Sequence, residues 1–176
     1  MHGINEGLPF IPVRIAVLTV SDTRMQENDT SGEVLSQRLQ AAGHVLADRH
    51  IVRDDCEDIR ATVKSWIDDP EVDVVITTGG TGLTGRDVTP EALRPLFDKV
   101  IEGFSVIFHQ VSFHSVGLST LQSRATAGVA KGTFIFALPG STGAVKDGWD
   151  KVISWQLDSR HKPCNFVELM PRLMEK

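Results

Sequence analysis

Hydrophobic runs alternate with amphipathic segments along most of the chain. Residues 13–20 and 72–78 are rich in β-branched side chains, and 133–138 is another apolar run, so all three are predicted to be strands covered on both faces. Residues 45–52 predict a fourth, poorer strand. Because segments with helical spacing of apolar residues separate these strands, we predict an α/β fold with a mainly parallel sheet between two helical layers.

Capping residues give the expected helix boundaries. Gly43 ends the helix that follows the first strand. Asp55 is predicted to cap the next helix, and Thr89 to cap a third helix in which Pro90 takes the first position. A further helix is predicted over 104–116, and a last one follows the final strand.

The chain has 176 residues, which fits one domain. All the predicted strands and the main helices fall within 13–157, which we assign to that domain. Residues 1–12 contain glycine and proline without a hydrophobic period, so they are predicted to form a flexible N-terminal arm. Residues 158–176 are predicted to form an irregular C-terminal tail.

Charge and composition exclude several classes of function. The net charge is −5 and there is no dense block of Lys and Arg, which argues against nucleic-acid binding. The two cysteines are too few for a disulfide framework. The first residues lack the cationic start and apolar run of a signal peptide, so we expect a cytoplasmic protein.

One uncharged stretch, residues 103–123, is long enough to span a bilayer. Its histidines, glutamines and five serines are too polar for a transmembrane helix, so we predict no membrane contact. An uncharged stretch of mixed polarity is expected to be buried, and we predict that it meets a neighbouring subunit. A charge introduced at Phe108 or Phe113 would then disrupt the assembly.

Ligands of parallel α/β sheets bind in the loops that follow the carboxyl ends of the strands. In this chain those loops are 21–31, 52–55, 77–90 and 139–143. Residues 77–82 read Thr-Thr-Gly-Gly-Thr-Gly, a pattern that lets backbone N–H groups and hydroxyls approach an anion closely. A plain tight turn is the alternative interpretation of this loop.

Two other glycine motifs fit the same loop less well. Walker A is excluded because it requires a Lys, which is absent here. Gly80, Gly82 and Gly85 do match the G-x-G-x-x-G dinucleotide fingerprint, with Glu102 near the expected position of the ribose-binding acid. Because residues 86–90 separate these glycines from the next helix, a nicotinamide-dependent oxidoreductase is the weaker alternative.

Charged residues beside the glycine loop indicate a metal-assisted phosphate site. Arg86 can hold phosphate oxygens, but Asp87 next to it is compatible with an anion only when a cation bridges them. Mg²⁺ is the simplest bridge, since it favours one or two carboxylates together with phosphate oxygens. Asp54 follows the strand predicted over 45–52 and is the second candidate ligand for Mg²⁺, whereas Asp55 is needed as the cap of the next helix. For Arg86 and Asp87 the alternative is a surface salt bridge or an acid at the start of the next helix, and for Asp22 it is an ordinary turn residue.

Five segments together resemble one known family. They are Ser21-Asp22-Thr23, Asp29-Thr30-Ser31-Gly32, Thr77 to Gly82, Arg86-Asp87-Val88-Thr89-Pro90 and Leu138-Pro139-Gly140-Ser141. On these segments the chain resembles the MoaB/MogA family of molybdenum cofactor biosynthesis proteins over 13–157, and its tail is similar to the MoaB branch.

The resemblance implies a fold, an assembly and a reaction. The fold would be the three-layer αβα sandwich of molybdopterin-binding domains, assembled as a homotrimer or homohexamer. The reaction would transfer AMP from MgATP to the terminal phosphate of molybdopterin and release pyrophosphate, before a molybdate-inserting enzyme acts. ATP and molybdopterin would be the substrates of this nucleotidyltransferase, and Mg²⁺ its cofactor.

The resemblance also implies roles for particular residues. Asp54, Asp87 and Arg86 would be catalytic, with the two aspartates holding Mg²⁺. Molybdopterin and its phosphate would be bound by Ser21, Asp22, Thr78, Gly79, Gly80, Thr81, Gly82, Thr89, Pro139, Gly140 and Ser141. The intact segment 86–90 favours an active enzyme over the alternative, a non-catalytic molybdopterin carrier or scaffold.

Overall fold

A six-stranded sheet lies between two layers of helices in the computed structural model, which describes residues 3–175. The strands of this sheet are β2 (Arg14–Val20), β3 (Val45–Val52), β4 (Val74–Thr78), β5 (Lys99–Val100), β6 (Thr126–Ala130) and β7 (Thr133–Leu138). Two further short strands, β1 (Gly3–Ile4) and β8 (His161–Lys162), lie outside it. The helices are α1 (Thr30–Ala41), α2 (Cys56–Ile67), α3 (Thr89–Leu93), α4 (Glu102–Val116), α5 (Thr142–Gly148), α6 (Ser154–Gln156) and α7 (Phe166–Leu169). A π-helical turn, Trp149–Ile153, joins α5 to α6.

The order of the strands in the main sheet is β3-β2-β4-β7-β6-β5. The four strands that precede the predicted site loops, β3, β2, β4 and β7, run parallel to one another. Their carboxyl ends therefore lie at one edge of the sheet. This confirms the predicted mainly parallel three-layer α/β fold.

An antiparallel edge completes the sheet and was not predicted. β6 pairs antiparallel with β7, and β5 pairs antiparallel with β6. Lys131 and Gly132 connect β6 to β7, and both have positive φ angles, 47° and 90°. A two-residue turn with this geometry matches the twist of a hairpin. The small side chains of β6 form little hydrophobic pattern, so the sequence does not predict this strand.

The side chains of β2 show why its sequence is apolar almost throughout. Ile15 and Val17 contribute to the core beneath α1, α4 and α5, whereas Ala16 and Leu18 contribute to the core beneath α2 and α3. Successive side chains of a strand point to opposite faces, so a strand between two helical layers must be apolar on both.

Helix starts agree with the capping predictions in one case and differ in another. Asp55 is the N-cap of α2, and its carboxylate accepts hydrogen bonds from the N–H groups of Glu57 and Asp58, as predicted. The prediction that Thr89 caps α3 was wrong. Val88 is the N-cap and Thr89 is the first helical residue, because the Thr89 hydroxyl donates to the carbonyl of Gly79 instead.

The two ends of the described chain pair with each other. β1 and β8 form a separate antiparallel ribbon. The Ser159 hydroxyl donates to the Pro9 carbonyl at 2.8 Å and accepts from the Ile11 N–H at 2.9 Å. The predicted arm, apart from residues 1 and 2, which lie outside the described range, is thus bonded to the tail. The expectation of an irregular tail was wrong, because it contains β8 and α7.

The uncharged stretch 103–123 forms most of α4 and the 3₁₀ helix Gly117–Gln122. Phe108 is fully buried in the core, so, contrary to the prediction, its side chain is not available to a subunit interface. Phe113 is half exposed. Within residues 3–175, no helix is long and apolar enough to cross a bilayer.

Candidate functional site

A cavity of about 780 Å³ lies at the carboxyl edge of the parallel strands. It lies beside β2, at the point where the strand order reverses: β3 pairs with one side of β2, and β4 pairs with the other. Such a reversal of strand order opens a crevice between adjacent loops. The predicted site residues that line the cavity are Ser21, Asp54, Gly79, Gly80, Thr81, Gly82, Asp87, Pro139, Gly140 and Ser141.

Two glycines at the end of β4 adopt backbone conformations that other residues rarely reach. The φ angles of Gly79 and Gly80 are 107° and 64°. A Cβ at Gly79 would lie 2.2 Å from the Val20 carbonyl oxygen, and a Cβ at Gly80 would lie 2.3 Å from the Thr89 hydroxyl. The loop can therefore follow this path only with glycine at both positions, which leaves its backbone facing the cavity.

Hydrogen bonds from buried threonines hold the loops in place. The Thr89 hydroxyl donates to the Gly79 carbonyl at 2.9 Å, and the Thr89 N–H donates to the Gly80 carbonyl at 2.9 Å. The Thr78 hydroxyl donates to the Pro139 carbonyl at 3.0 Å. Neither threonine lines the cavity, so both act on its shape through the loops that do.

The loop after β7 packs directly against the glycine loop. A Cβ at Gly140 would lie 3.1 Å from the Cα of Gly79, so the two backbones touch with no side chain between them. Ser141 is the N-cap of α5, and its hydroxyl accepts from the Ala144 N–H at 3.1 Å. The cavity thus has a wall of closely spaced backbone groups.

Asp54 and Asp22 bind each other's backbone across the loops after β3 and β2. A carboxylate oxygen of Asp54 accepts from the Asp22 N–H at 3.0 Å, and one of Asp22 accepts from the Asp54 N–H at 3.2 Å. Burial, and then the negative charges of Asp22 and Asp87, raise the pKa of Asp54, and Arg86 offsets part of this. The guanidinium of Arg86 lies 3.5 Å from Asp22 at the rim, where its side chain is 79% exposed.

Asp87 is held at the other side of the glycine loop. Burial acts to raise its pKa, but hydrogen bonds from the Thr84 hydroxyl and N–H and from the Gly82 N–H outweigh it, so the pKa of Asp87 lies below its ordinary value. Arg124 fixes the same turn by donating to the carbonyls of Gly82 and Asp87. Asp87 therefore presents an ionised, immobilised carboxylate to the cavity at neutral pH.

Asp54 and Asp87 line one cavity and are the carboxylates there that could hold a magnesium ion together with a phosphate ligand. Among residues 3–175 there is no group of three or more His, Cys, Asp or Glu with metal-binding geometry. Mg²⁺ commonly takes only one or two protein carboxylates when phosphate oxygens and water complete its shell. Burial, followed by the negative charges of Asp22 and Asp87, raises the pKa of Asp54, and a bound divalent cation would offset both effects by stabilising the ionised carboxylate.

Four predicted site residues lie away from the lining of the cavity: Asp22, Thr78, Arg86 and Thr89. Asp22 instead lines an adjoining polar cavity of about 460 Å³ that shares Ser21 and Arg24 with the first. Arg86 reaches the rim only through its contact with Asp22. The structure brings together the glycine loop, Asp54, Asp87 and the turn at 139–141, but it leaves these four outside the wall.

Arg24 follows the first strand and adds an arginine to this edge of the sheet, but it is not among the predicted site residues. Its guanidinium lines the cavity, donates to the Gly140 carbonyl at 2.9 Å and bonds to the Ser31 hydroxyl. Asp29, which is fully buried, lies 3.7 Å from the same guanidinium. The available sequence signal was the position of Arg24 in Ser-Asp-Thr-Arg, directly after the first strand.

The far wall of the cavity was also missed. Lys146 and Asp147 reach it from α5, and hydroxyl side chains from α4 and the following 3₁₀ helix line it. For the hydroxyl side chains, the available signal was the serine-rich, uncharged composition of 103–123. The prediction places this stretch at a subunit interface, whereas part of it forms the wall of the cavity.

Comparison with known proteins gives consistent results. Residues 16–159 match the family described as "Probable molybdopterin binding domain". The chain is 55% identical over 157 residues to molybdenum cofactor biosynthesis protein B of Escherichia coli strain K12, covering 89% of this chain and 92% of that protein. It is 47% identical over 149 residues to the protein of that name from Staphylococcus aureus strain COL, covering 83% and 88%.

Solved structures show the same similarity. A crystal structure of molybdenum cofactor biosynthesis protein B superposes with a TM-score of 0.81 and 42% identity, covering 84% of this chain and 92% of the other. The tungsten cofactor synthesizing protein MoaB from Pyrococcus furiosus superposes with a TM-score of 0.71 and 37% identity, covering 79% and 89%.

Proposed function

The chain belongs to the molybdopterin-binding-domain family of molybdenum cofactor biosynthesis proteins, and on that premise we propose that it transfers AMP from MgATP to molybdopterin. The acceptor is the terminal phosphate of molybdopterin, and pyrophosphate is the second product. The observation that carries this proposal is the convergence of the glycine loop and the carboxylates of Asp54 and Asp87 on one cavity.

The reaction needs charge neutralisation and alignment more than it needs a base. An oxygen of the molybdopterin phosphate is already ionised, and it forms a new bond to the α-phosphorus of ATP. The bond from that phosphorus to the bridging oxygen breaks, and pyrophosphate leaves with the electron pair. Bringing two polyanions together in line is the main barrier, which positioned donors and cations lower.

Each element of the cavity has a part in that task. Asp54 and Asp87 are the residues that would hold Mg²⁺, whose charge would neutralise the ATP phosphates. In the backbone of 79–82, the N–H groups of Gly80 and Thr81 would donate to phosphate oxygens, because those of Gly79 and Gly82 bond to Leu138 and Asp87. Arg24 lies between the two loops and adds a fixed positive charge, while Arg86 supplies an exposed one at the rim.

Conservative variants of the two aspartates test this division of roles. Asp54→Asn and Asp87→Asn should each abolish AMP transfer and leave molybdopterin binding largely intact, because they remove charge without removing bulk. Asp55→Asn is the matched control: Asn caps a helix as well as Asp does, so activity should be unchanged. Loss of pterin binding in parallel with activity would contradict the roles assigned to Asp54 and Asp87.

A non-catalytic molybdopterin carrier is the other outcome that the experiment distinguishes. A carrier would bind molybdopterin with the same cavity but release no pyrophosphate when MgATP is added. Because the segment 86–90 is complete and Asp87 is fixed in it by several hydrogen bonds, we favour the enzyme.

We further propose that the protein acts as a homotrimer or homohexamer in the cytoplasm and passes its product to a molybdate-inserting enzyme. The support for an assembly is a group of exposed apolar side chains on α4 and the following 3₁₀ helix: Val106, Phe113, Val116, Leu118 and Leu121. Such a concentration of large apolar side chains on one surface is typical of a protein interface.

A further inference from the structure

Among the described residues, 3–175, Asp147 is the one carboxylate on the far wall of the cavity. Its side chain, on α5, is only 10% exposed. Its Oδ1 atom accepts from the Ser115 hydroxyl at 3.0 Å and from the Lys151 ammonium at 2.5 Å. These two partners fix the orientation of the carboxylate, and Lys151 balances its charge.

The second oxygen of Asp147 is available to a ligand. Oδ2 accepts no hydrogen bond from any residue in the range 3–175, and it is not one of the sealed, unpaired polar atoms of that range. Oδ2 therefore has accessible surface, and Asp147 is one of the residues that line the cavity. The hydroxyl of Thr120, which lines the same cavity, is buried and also has no partner within the described chain.

An ionised carboxylate oxygen accepts hydrogen bonds and donates none. A ligand group that suits this wall must therefore present N–H or O–H donors. A phosphate or a dithiolene would bring negative charge to Asp147 and be repelled. The 2-amino-4-oxopyrimidine ring of a pterin has the required edge, because its amino group and the adjacent ring N–H point in the same direction.

We propose that Asp147 recognises the 2-amino-4-oxopyrimidine edge of molybdopterin, with Oδ2 accepting hydrogen bonds from the amino group and the ring N–H. This inference rests on the proposed function. It sets the direction of the substrate in the cavity: the pterin ring lies against Asp147, and the phosphate lies toward the glycine loop. Asp147 is thus a specificity residue and takes no part in the transfer of AMP.

A comparison of two ring systems tests the proposal on the unaltered protein. The probes are 2-amino-4-oxopteridine and 2,4-dioxopteridine, in which an oxygen replaces the amino group and faces the carboxylate. Their dissociation constants are measured by quenching of the ring fluorescence. The 2-amino ring should bind about 10- to 100-fold more tightly, since hydrogen bonds to a charged group are strong and an unmatched buried carboxylate is costly.

Asp147→Asn provides the second measurement, with Asp150→Asn in the following π-helical turn as the matched control. An amide presents both a donor and an acceptor, so the preference for the 2-amino ring should shrink to about threefold or less. The KM for molybdopterin should rise while the KM for ATP stays unchanged. Asp150 pairs with Arg38 away from the cavity, so Asp150→Asn should keep the preference of the wild type.

The outcomes separate this inference from the proposed function. Equal binding of the two rings by the wild type, or an unchanged preference in Asp147→Asn, would overturn the role of Asp147 even if AMP transfer is observed. Absence of AMP transfer with the ring preference intact would overturn the proposed reaction and leave the role of Asp147 standing. A misfolded Asp147→Asn would leave the wild-type comparison decisive.

Discussion

Asp29 is expected to be the most stabilising charged residue near the cavity. Its side chain is fully buried and accepts from the Thr19 hydroxyl at 2.7 Å, from the Gly32 N–H at 3.0 Å and from the Arg49 guanidinium at 3.0 Å. The perturbation is Asp29→Ala, which removes every one of these acceptors. It also removes the N-cap of α1 and the carboxylate beside Arg24.

The size of the effect follows from what the variant leaves behind. Arg49 has a side chain that is only 16% exposed, and its remaining carboxylate partner is the half-exposed Glu33. Breaking a buried, hydrogen-bonded charge pair costs about 3–5 kcal/mol, a figure that includes the loss of the cap here. With a urea slope of about 2 kcal/mol per M, the unfolding midpoint should fall by about 2 M.

Urea unfolding followed by tryptophan fluorescence measures this loss. All variants should be compared at one protein concentration, because self-association would shift the midpoint. Asp29→Asn keeps a cap and an acceptor, so it should lose less than Asp29→Ala. Glu27→Ala, an exposed change in the same loop, should leave the midpoint unchanged. A fall of less than about 0.5 M for Asp29→Ala would refute the buried network as a major source of stability.

Three further predictions concern charge and assembly. Asp54→Asn should raise the melting temperature in chelator at pH 7, because the raised pKa of Asp54 marks an ionised form that the fold disfavours; scanning fluorimetry showing no rise would contradict this. Burial acts to raise the pKa values of Asp29 and Asp73, but hydrogen bonds outweigh it and hold both pKa values below the ordinary value. The donors are Thr19, Gly32 and Arg49 for Asp29, and Arg14 for Asp73. The stability that these carboxylates contribute is therefore present above about pH 4 and is lost as the pH falls through their folded pKa values. Urea midpoints measured from pH 7 to pH 3 should therefore drop steeply at the acid end, and less steeply in Asp73→Asn; equal slopes would be inconsistent with that assignment. Phe113→Asp should lower the oligomer mass measured by light scattering, and an unchanged mass would rule out the α4 surface as an interface.

Patterns that report burial on both faces were sufficient to predict the sheet. The strand 133–138 and the strand 45–52 have the predicted bounds, and Asp55 caps α2 as expected. These features depend on local properties: continuous apolar runs and a side chain that reaches its own helix. β6 could not be found in this way, since its small side chains carry no pattern and its hairpin turn is Lys131-Gly132.

Residues whose role depends on a distant partner were the ones that the sequence did not predict. Thr89 is of a residue type that caps helices, yet its hydroxyl donates to the carbonyl of Gly79, ten residues earlier in the chain. Arg24 acts through the carbonyl of Gly140, and Asp147 through Ser115 and Lys151. A side chain on a helix facing a cavity and one facing solvent can look identical in sequence, because only the packing of the helices distinguishes them.

The most direct test of the central claim is a single-turnover assay with purified protein, molybdopterin and MgATP labelled at the α-phosphate. The account predicts that label appears on molybdopterin while one pyrophosphate is released for each AMP transferred, and that Asp54→Asn and Asp87→Asn produce neither. Tight binding of molybdopterin by the wild type without label transfer or pyrophosphate would contradict it.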